Sequence, residues 1–154
     1  MDVSKTLAGM TGLEQLRAMI ASGGRPPIGD TMDFTLVAAS DGEATFEGTP
    51  AIKVYNPIGS VHGGYAATLL DSACGCAVHS KLAVGQTYTT LELKVAYHKP
   101  MTVNTGLVRA VGRVISFGRR AAFAEAKITD AEGRLYASAT STLLVMSPPK
   151  TEAG

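Results

Sequence analysis

The chain has 154 residues, 45% of them hydrophobic, with 14 basic against 13 acidic side chains and a net charge of +1. One domain with a sizeable core is the expectation at that length. A near-neutral chain with no basic run or stripe argues against nucleic acid as a partner.

Residues 1–5 lack a basic start followed by an apolar run, so no signal peptide is visible and the cytoplasm is the expected location. Thr11-Gly12-Leu13-Glu14 is a capping-box pattern, in which Thr11 accepts from the Glu14 amide and Glu14 reaches back. Leu13, Leu16, Met19 and Ile20 follow at helical spacing and stop at Ser22-Gly23-Gly24, which predicts a short amphipathic helix. Residues 25–30 read as a loop. The domain organisation expected is therefore an N-terminal helix and loop at 1–30, a main domain at 31–147 and a frayed tail at 148–154. Short strands are predicted at 32–38, 44–48 and 51–55, with a tight turn at Asp41-Gly42.

The stretch that follows differs from the rest. From Gly63 to Val78 nearly every residue is small or apolar, which is the pattern of a helix buried on all sides. Asp71 is the only acidic or basic side chain in it, and a buried carboxylate is costly unless paired, protonated or used. At about 16–18 residues, with glycines and a central acid, the segment is a poor membrane span. Cys74 and Cys76 lie on it about 200° apart around the axis, so they cannot pair. They form no zinc pattern and read as reduced, buried thiols. The three histidines, His62, His79 and His98, form no local ligand motif.

Residues 81–86 read as a loop and 87–98 as a strand, with Leu91, Leu93 and Val95 alternating against Glu92, Lys94 and Ala96. Long strands are predicted at 107–115, 121–129 and 135–146, separated by Ser116-Phe117-Gly118 and by residues 130–133, which gives an antiparallel meander. The fold class expected is α+β. A curved antiparallel sheet wraps one long helix, and a second subunit closes what the sheet leaves open.

Two features of the helix carry chemistry. A Gly-Gly pair costs about 2 kcal/mol in a helix interior relative to alanine, but less at a helix start. There, Gly63 and Gly64 offer bare amides at the positive end of the helix dipole, suited to a developing negative charge. The glycines could equally serve only a tight turn or close packing. Asp71 is either a reacting group or a structural aspartate held by hydroxyls. Gly63 and Asp71 lie about 12 Å apart along one helix and about 80° apart around it. One small reacting group can touch both only if two such helices run antiparallel across a two-fold axis, giving two equivalent sites.

Asn56, five residues, His62-Gly63-Gly64, six residues and Asp71 resemble the signature of hotdog-fold acyl-CoA thioesterases, most nearly the phenylacetic acid degradation subgroup. The similarity continues through residues 90–100, a strand ending in an aromatic-x-x-proline run, then Gly118-Arg119-Arg120 and the last two strands. The resemblance implies a hotdog fold, hydrolysis of an acyl-CoA thioester, and no metal or prosthetic group. It also implies a homodimer at least, commonly a homotetramer built as a dimer of dimers, with no membrane partner.

By the same resemblance, the Gly63 amide polarises the thioester carbonyl, and Asn56 holds the helix-entry loop and the carbonyl or water. His62 orients that loop or the leaving thiolate. Asp71 is general base or nucleophile, and Thr90 positions Asp71 or its water. Arg119 and Arg120 read either as CoA-phosphate contacts or as an exposed turn pair, Gly64 as a second bare amide, and Tyr65 as acyl-pocket lining or core. A hydratase of the same fold would show an Asp-x-Asn-x-x-His run, which is absent. The other reading is a non-catalytic acyl-CoA sensor, but residues 1–30 lack the charge of a DNA-binding segment.

Overall fold

A computed structural model describes residues 7–150; the first six residues, read above for a leader, and the last four of the tail lie outside that range. Helix α1 (Gly12–Ala21) begins on the capping box: the Thr11 amide donates to Glu14 Oε2 at 2.7 Å and the Glu14 amide to Thr11 Oγ1 at 3.3 Å. The segment expected as loop and strand start is instead a short helix, α2 (Pro27–Met32). Pro26 caps it in an extended conformation, and Pro27 supplies a preset helical φ at the first position. Asp33, left-handed at φ 63°, ends it.

Strands β1 (Phe34–Ser40) and β2 (Glu43–Gly48) form the expected hairpin around Asp41-Gly42. The predicted strand at 51–55 is a 3-10 turn, Ile52–Val54, with Tyr55 bridging only to Val61. Its carbonyls serve the helix entry rather than a sheet: the His62 amide donates to the Val54 carbonyl at 2.8 Å.

Helix α3 (Gly63–His79) is the buried helix. Strands β3 (Thr87–Tyr97), β4 (Val108–Phe117), β5 (Ala121–Asp130) and β6 (Leu135–Met146) complete one six-stranded sheet, antiparallel throughout, in the order β1-β2-β4-β5-β6-β3. The curved sheet packs all six strands against α3, which is the α+β hotdog arrangement read from the sequence. Leu69, Leu70, Ala73, Cys74, Ala77 and Val78 of α3 are fully covered. Phe34 and Phe46 meet edge-on beneath them at 5.6 Å. The approach is closest at Gly112 of β4, where a Cβ would fall 2.2 Å from the Ala73 carbonyl oxygen, so only glycine fits.

Helix α1 shares this core through Leu16 and is tied to the end of α3, where His79 Nε2 and Gln15 Oε1 lie 2.7 Å apart. On the outer side of β1 the chain at Gly24 turns back along the strand, and the Leu36 amide donates to its carbonyl at 2.7 Å. The other edge of the sheet, β3, has no such cover among the described residues.

Two departures matter for the site. Strict alternation would group Leu91 with Leu93 and Val95. A bulge between Thr90 and Glu92 leaves Leu91 unpaired and 59% exposed, while Tyr88, Thr90, Leu93 and Val95 take the more buried positions. In addition, α3 is not covered all round: Ala67, Thr68, Asp71, Ser72 and Cys76 form a half-buried stripe along it.

Candidate active site

The entry to α3 is built by a loop that ties itself shut. Asn56 Oδ1 accepts from the amides of Ile58 and Ser60 at 3.0 and 3.1 Å, and its Nδ2 donates to Ser60 Oγ at 3.0 Å. These bonds commit the Asn56 side chain to the loop. The Val61 amide then donates to Met101 and the His62 amide to Val54, which fixes where the helix begins.

His62 is the N-cap residue, and its Nδ1 accepts from the Gly64 amide at 2.8 Å. An accepting Nδ1 places the ring proton of a neutral histidine on Nε2. The Gly64 amide is therefore occupied. The Gly63 amide, at the first helical position, has no acceptor among the described residues. It borders a cleft of about 360 Å³ whose walls include His62, Tyr97, Lys99, Met101 and Tyr136. The Lys99 ammonium lies 5.6 Å from the Tyr136 ring centroid.

Asp71 stands two turns further along the half-buried stripe. Thr90 Oγ1 donates to Asp71 Oδ1 at 2.9 Å, so the structure brings those two residues together. It does not bring Asp71 of a chain to that chain's own Gly63. Burial pushes the Cys74 and Cys76 thiols up to about 12, and the Asp71 charge adds to that, which favours the protonated thiol at both. Tyr65 is buried beneath Gly48 and Phe34 and does not line the cleft; burial raises its phenol to about 12. Arg119 and Arg120 are exposed in the β4–β5 turn. Pairing of Ala121 with Leu144, and of Leu143 with Thr90, sets that turn at the Asp71 end of the sheet rather than the Gly63 end.

Sequence reasoning gave no role to Tyr97, Lys99 or Tyr136, which wall the cleft. The available signal was strand parity: Tyr97 continues the Leu93 and Val95 positions toward the helix start. Tyr97 Oη donates to the Gly63 carbonyl at 2.7 Å.

The family model of the thioesterase superfamily matches residues 58–137, which contain both halves of this arrangement. The chain belongs to that superfamily, a class of thioester hydrolases. Over 121 residues it is 26% identical to a 1,4-dihydroxy-2-naphthoyl-CoA hydrolase of Listeria monocytogenes, covering 79% of this chain and 97% of that one. Over 80 residues it is 38% identical to a provisionally named esterase of Halobacterium salinarum; that match covers 48% of this chain and spans about half, 52%, of the relative. A phenylacetic acid degradation-related protein of Ralstonia eutropha shares the fold, with a TM-score of 0.74 at 24% identity over 84% of this chain and 98% of that one.

Proposed function

We propose that the chain hydrolyses an acyl-CoA thioester to the free acid and CoA at two composite sites of a homodimer. The observation that carries this reading is the separation of two unused chemical ends on one helix. A free amide stands at Gly63, and a threonine-held carboxylate stands about 12 Å along at Asp71, on a stripe that one chain leaves half-open. Two copies joined through β3, with their α3 helices antiparallel, set Gly63 of each chain opposite Asp71 of its partner. The thioester carbonyl oxygen then accepts from the Gly63 amide, where negative charge develops in the transition state. Asp71 takes a proton from water as the water attacks, the C–S bond breaks, CoA leaves as thiolate and the free acid is formed directly. In the other route the Asp71 carboxylate attacks the carbonyl carbon, the C–S bond breaks, CoA leaves as thiolate, and water then cleaves the acyl anhydride to the free acid and Asp71.

Thr90 orients Asp71, Asn56 and His62 hold the donor end, and Arg119 and Arg120 meet the CoA phosphates, for which the guanidinium fork is suited. Small aromatic acyl groups are the favoured substrates, with short and medium aliphatic chains next. The naphthoyl-CoA hydrolase and the phenylacetic acid-related neighbour support that preference.

Release of free CoA from an acyl-CoA panel tests the reading. Wild type should turn over, and Asp71→Asn and Asp71→Ala should each lose about 10²-fold or more in kcat. Undiminished turnover in the variants would remove Asp71 from the chemistry. Tight binding with no turnover by wild type would favour a sensor instead.

A further inference from the structure

Resting on that reading, we infer that Tyr97 is a positioning residue for the Gly63 donor, acting as one jaw of a clamp whose other jaw is His62. Glycine at 63 and at 64 leaves the first two peptides of α3 without the side-chain restraints that other residues impose. The structure restrains both from outside. The peptide between Gly63 and Gly64 is held at each end: its carbonyl accepts from Tyr97 Oη at 2.7 Å and its amide donates to His62 Nδ1 at 2.8 Å. The preceding peptide is held by its carbonyl, which accepts from the Tyr65 amide at 3.0 Å. In a trans peptide the N–H points opposite the C=O, so the Gly63 N–H is directed outward, away from the helix.

The tyrosine ring also packs on Gly63 itself. A Cβ there would lie 2.9 Å from Tyr97 Oη and 3.0 Å from Cζ. A side chain at 63 would therefore displace the tyrosine hydroxyl from this contact. Tyr97 remains 58% exposed and lines the cleft, an unusual placement for a large side chain serving only as core. Tyr97 does not itself touch the substrate carbonyl. Its hydroxyl acts through the backbone, by limiting how far the Gly63 amide can swing from the developing oxyanion.

The test compares Tyr97→Phe with wild type and Asp71→Asn, following CoA release together with the 1H–15N spectrum of glycine-labelled protein. The variant keeps the ring and loses only the hydroxyl, so its melting temperature should stay close to wild type. Loss of a direct oxyanion donor costs about 10²–10³ in kcat. Loss of its positioning should cost less, about tenfold, with KM within about threefold, because the interaction matters in the transition state. The Gly63 amide resonance should shift or broaden. A wild-type kcat in Tyr97→Phe beside an inactive Asp71→Asn would overturn the clamp, as would a loss confined to KM or an unmoved Gly63 resonance. Full activity in Asp71→Asn would instead remove Asp71 from the chemistry, and no turnover by wild type would overturn the thioesterase reading; in either case the Gly63 resonance would then decide the clamp alone.

Discussion

At the scale of single residues, the Thr90–Asp71 hydrogen bond is where the proposed chemistry depends most directly on the fold. A hydroxyl donating at 2.9 Å fixes one carboxylate oxygen and leaves the other available for the proposed reaction. Thr90→Val keeps the shape and removes the donor. It should lower kcat by about tenfold with little change in KM, while Thr90→Ser should retain most of the activity. Steady-state kinetics on the three proteins checks this; equal kcat in the valine variant would make the contact incidental.

Asp71 and Gly63 were legible in the sequence because each breaks a local rule: a charge inside an apolar helix, and a glycine pair at a helix start. Tyr97 was not, because its partner is a backbone carbonyl 34 residues away, and backbone atoms leave no mark on composition. The placement of Tyr65 in the core depends on the rotation of α3 against the sheet, which periodicity cannot set in a helix that is apolar on every side.

At the scale of elements, the β5–β6 turn shows how one carboxylate shapes a hairpin. Asp130 accepts from the amides of Glu132 and Arg134 at 2.9 and 3.0 Å, from Arg134 Nε at 2.7 Å and from Tyr136 Oη at 3.0 Å. Burial alone would raise its pKa, but these four donors outweigh burial and hold the carboxyl below the usual carboxylate range. The sign follows from proton binding. Below an ordinary unfolded pKa of about 3.9, the unfolded chain binds the proton that the native one refuses, so stability falls as pH drops through about 4. Asp130→Asn should melt lower than wild type at pH 7 and show a flatter loss of stability on acidification. Thermal melts across that range measure both, and parallel acid limbs would count against the assignment.

Most elements could be read from periodicity and capping, including α1, α3 and the long strands. The errors fell where backbone geometry overrode pattern. Two prolines began α2 inside an expected loop, a 3-10 turn replaced a strand beside the helix entry, and a bulge moved Leu91 off the face its spacing implied. That bulge is also what allows Thr90 and Leu93, three residues apart, to occupy equivalent inward positions.

At the scale of the whole molecule, the proposed composite site predicts complementation. Asp71→Asn and Gly63→Val should each form inactive homodimers, the valine colliding with Tyr97 as well as crowding the donor. After mixing, unfolding and refolding together, half the dimers should be heterodimers with one intact site each. That would restore about a quarter of wild-type activity. Heterodimers that form yet stay inactive would place each site within a single chain. The sequence implied a helix needing cover from a partner, but not the strand order. That order puts β1 and β3 at the two margins, and the chain bonded to β1 at Gly24 leaves β3 as the uncovered one among the described residues.

The asymmetry between those two edges has a consequence for growth. A sheet with both margins bare can add copies at either side and extend into a ribbon, the route by which edge strands seed fibres. Here the β1 margin carries the returning chain at Gly24, which already occupies the Leu36 amide, so it is the poorer template. In the proposed dimer, addition through β3 consumes the margin that lacks such cover among the described residues. If the proposed dimer forms, polymerisation by this route stops at two, and a strand left open for a partner does not also invite an unlimited aggregate.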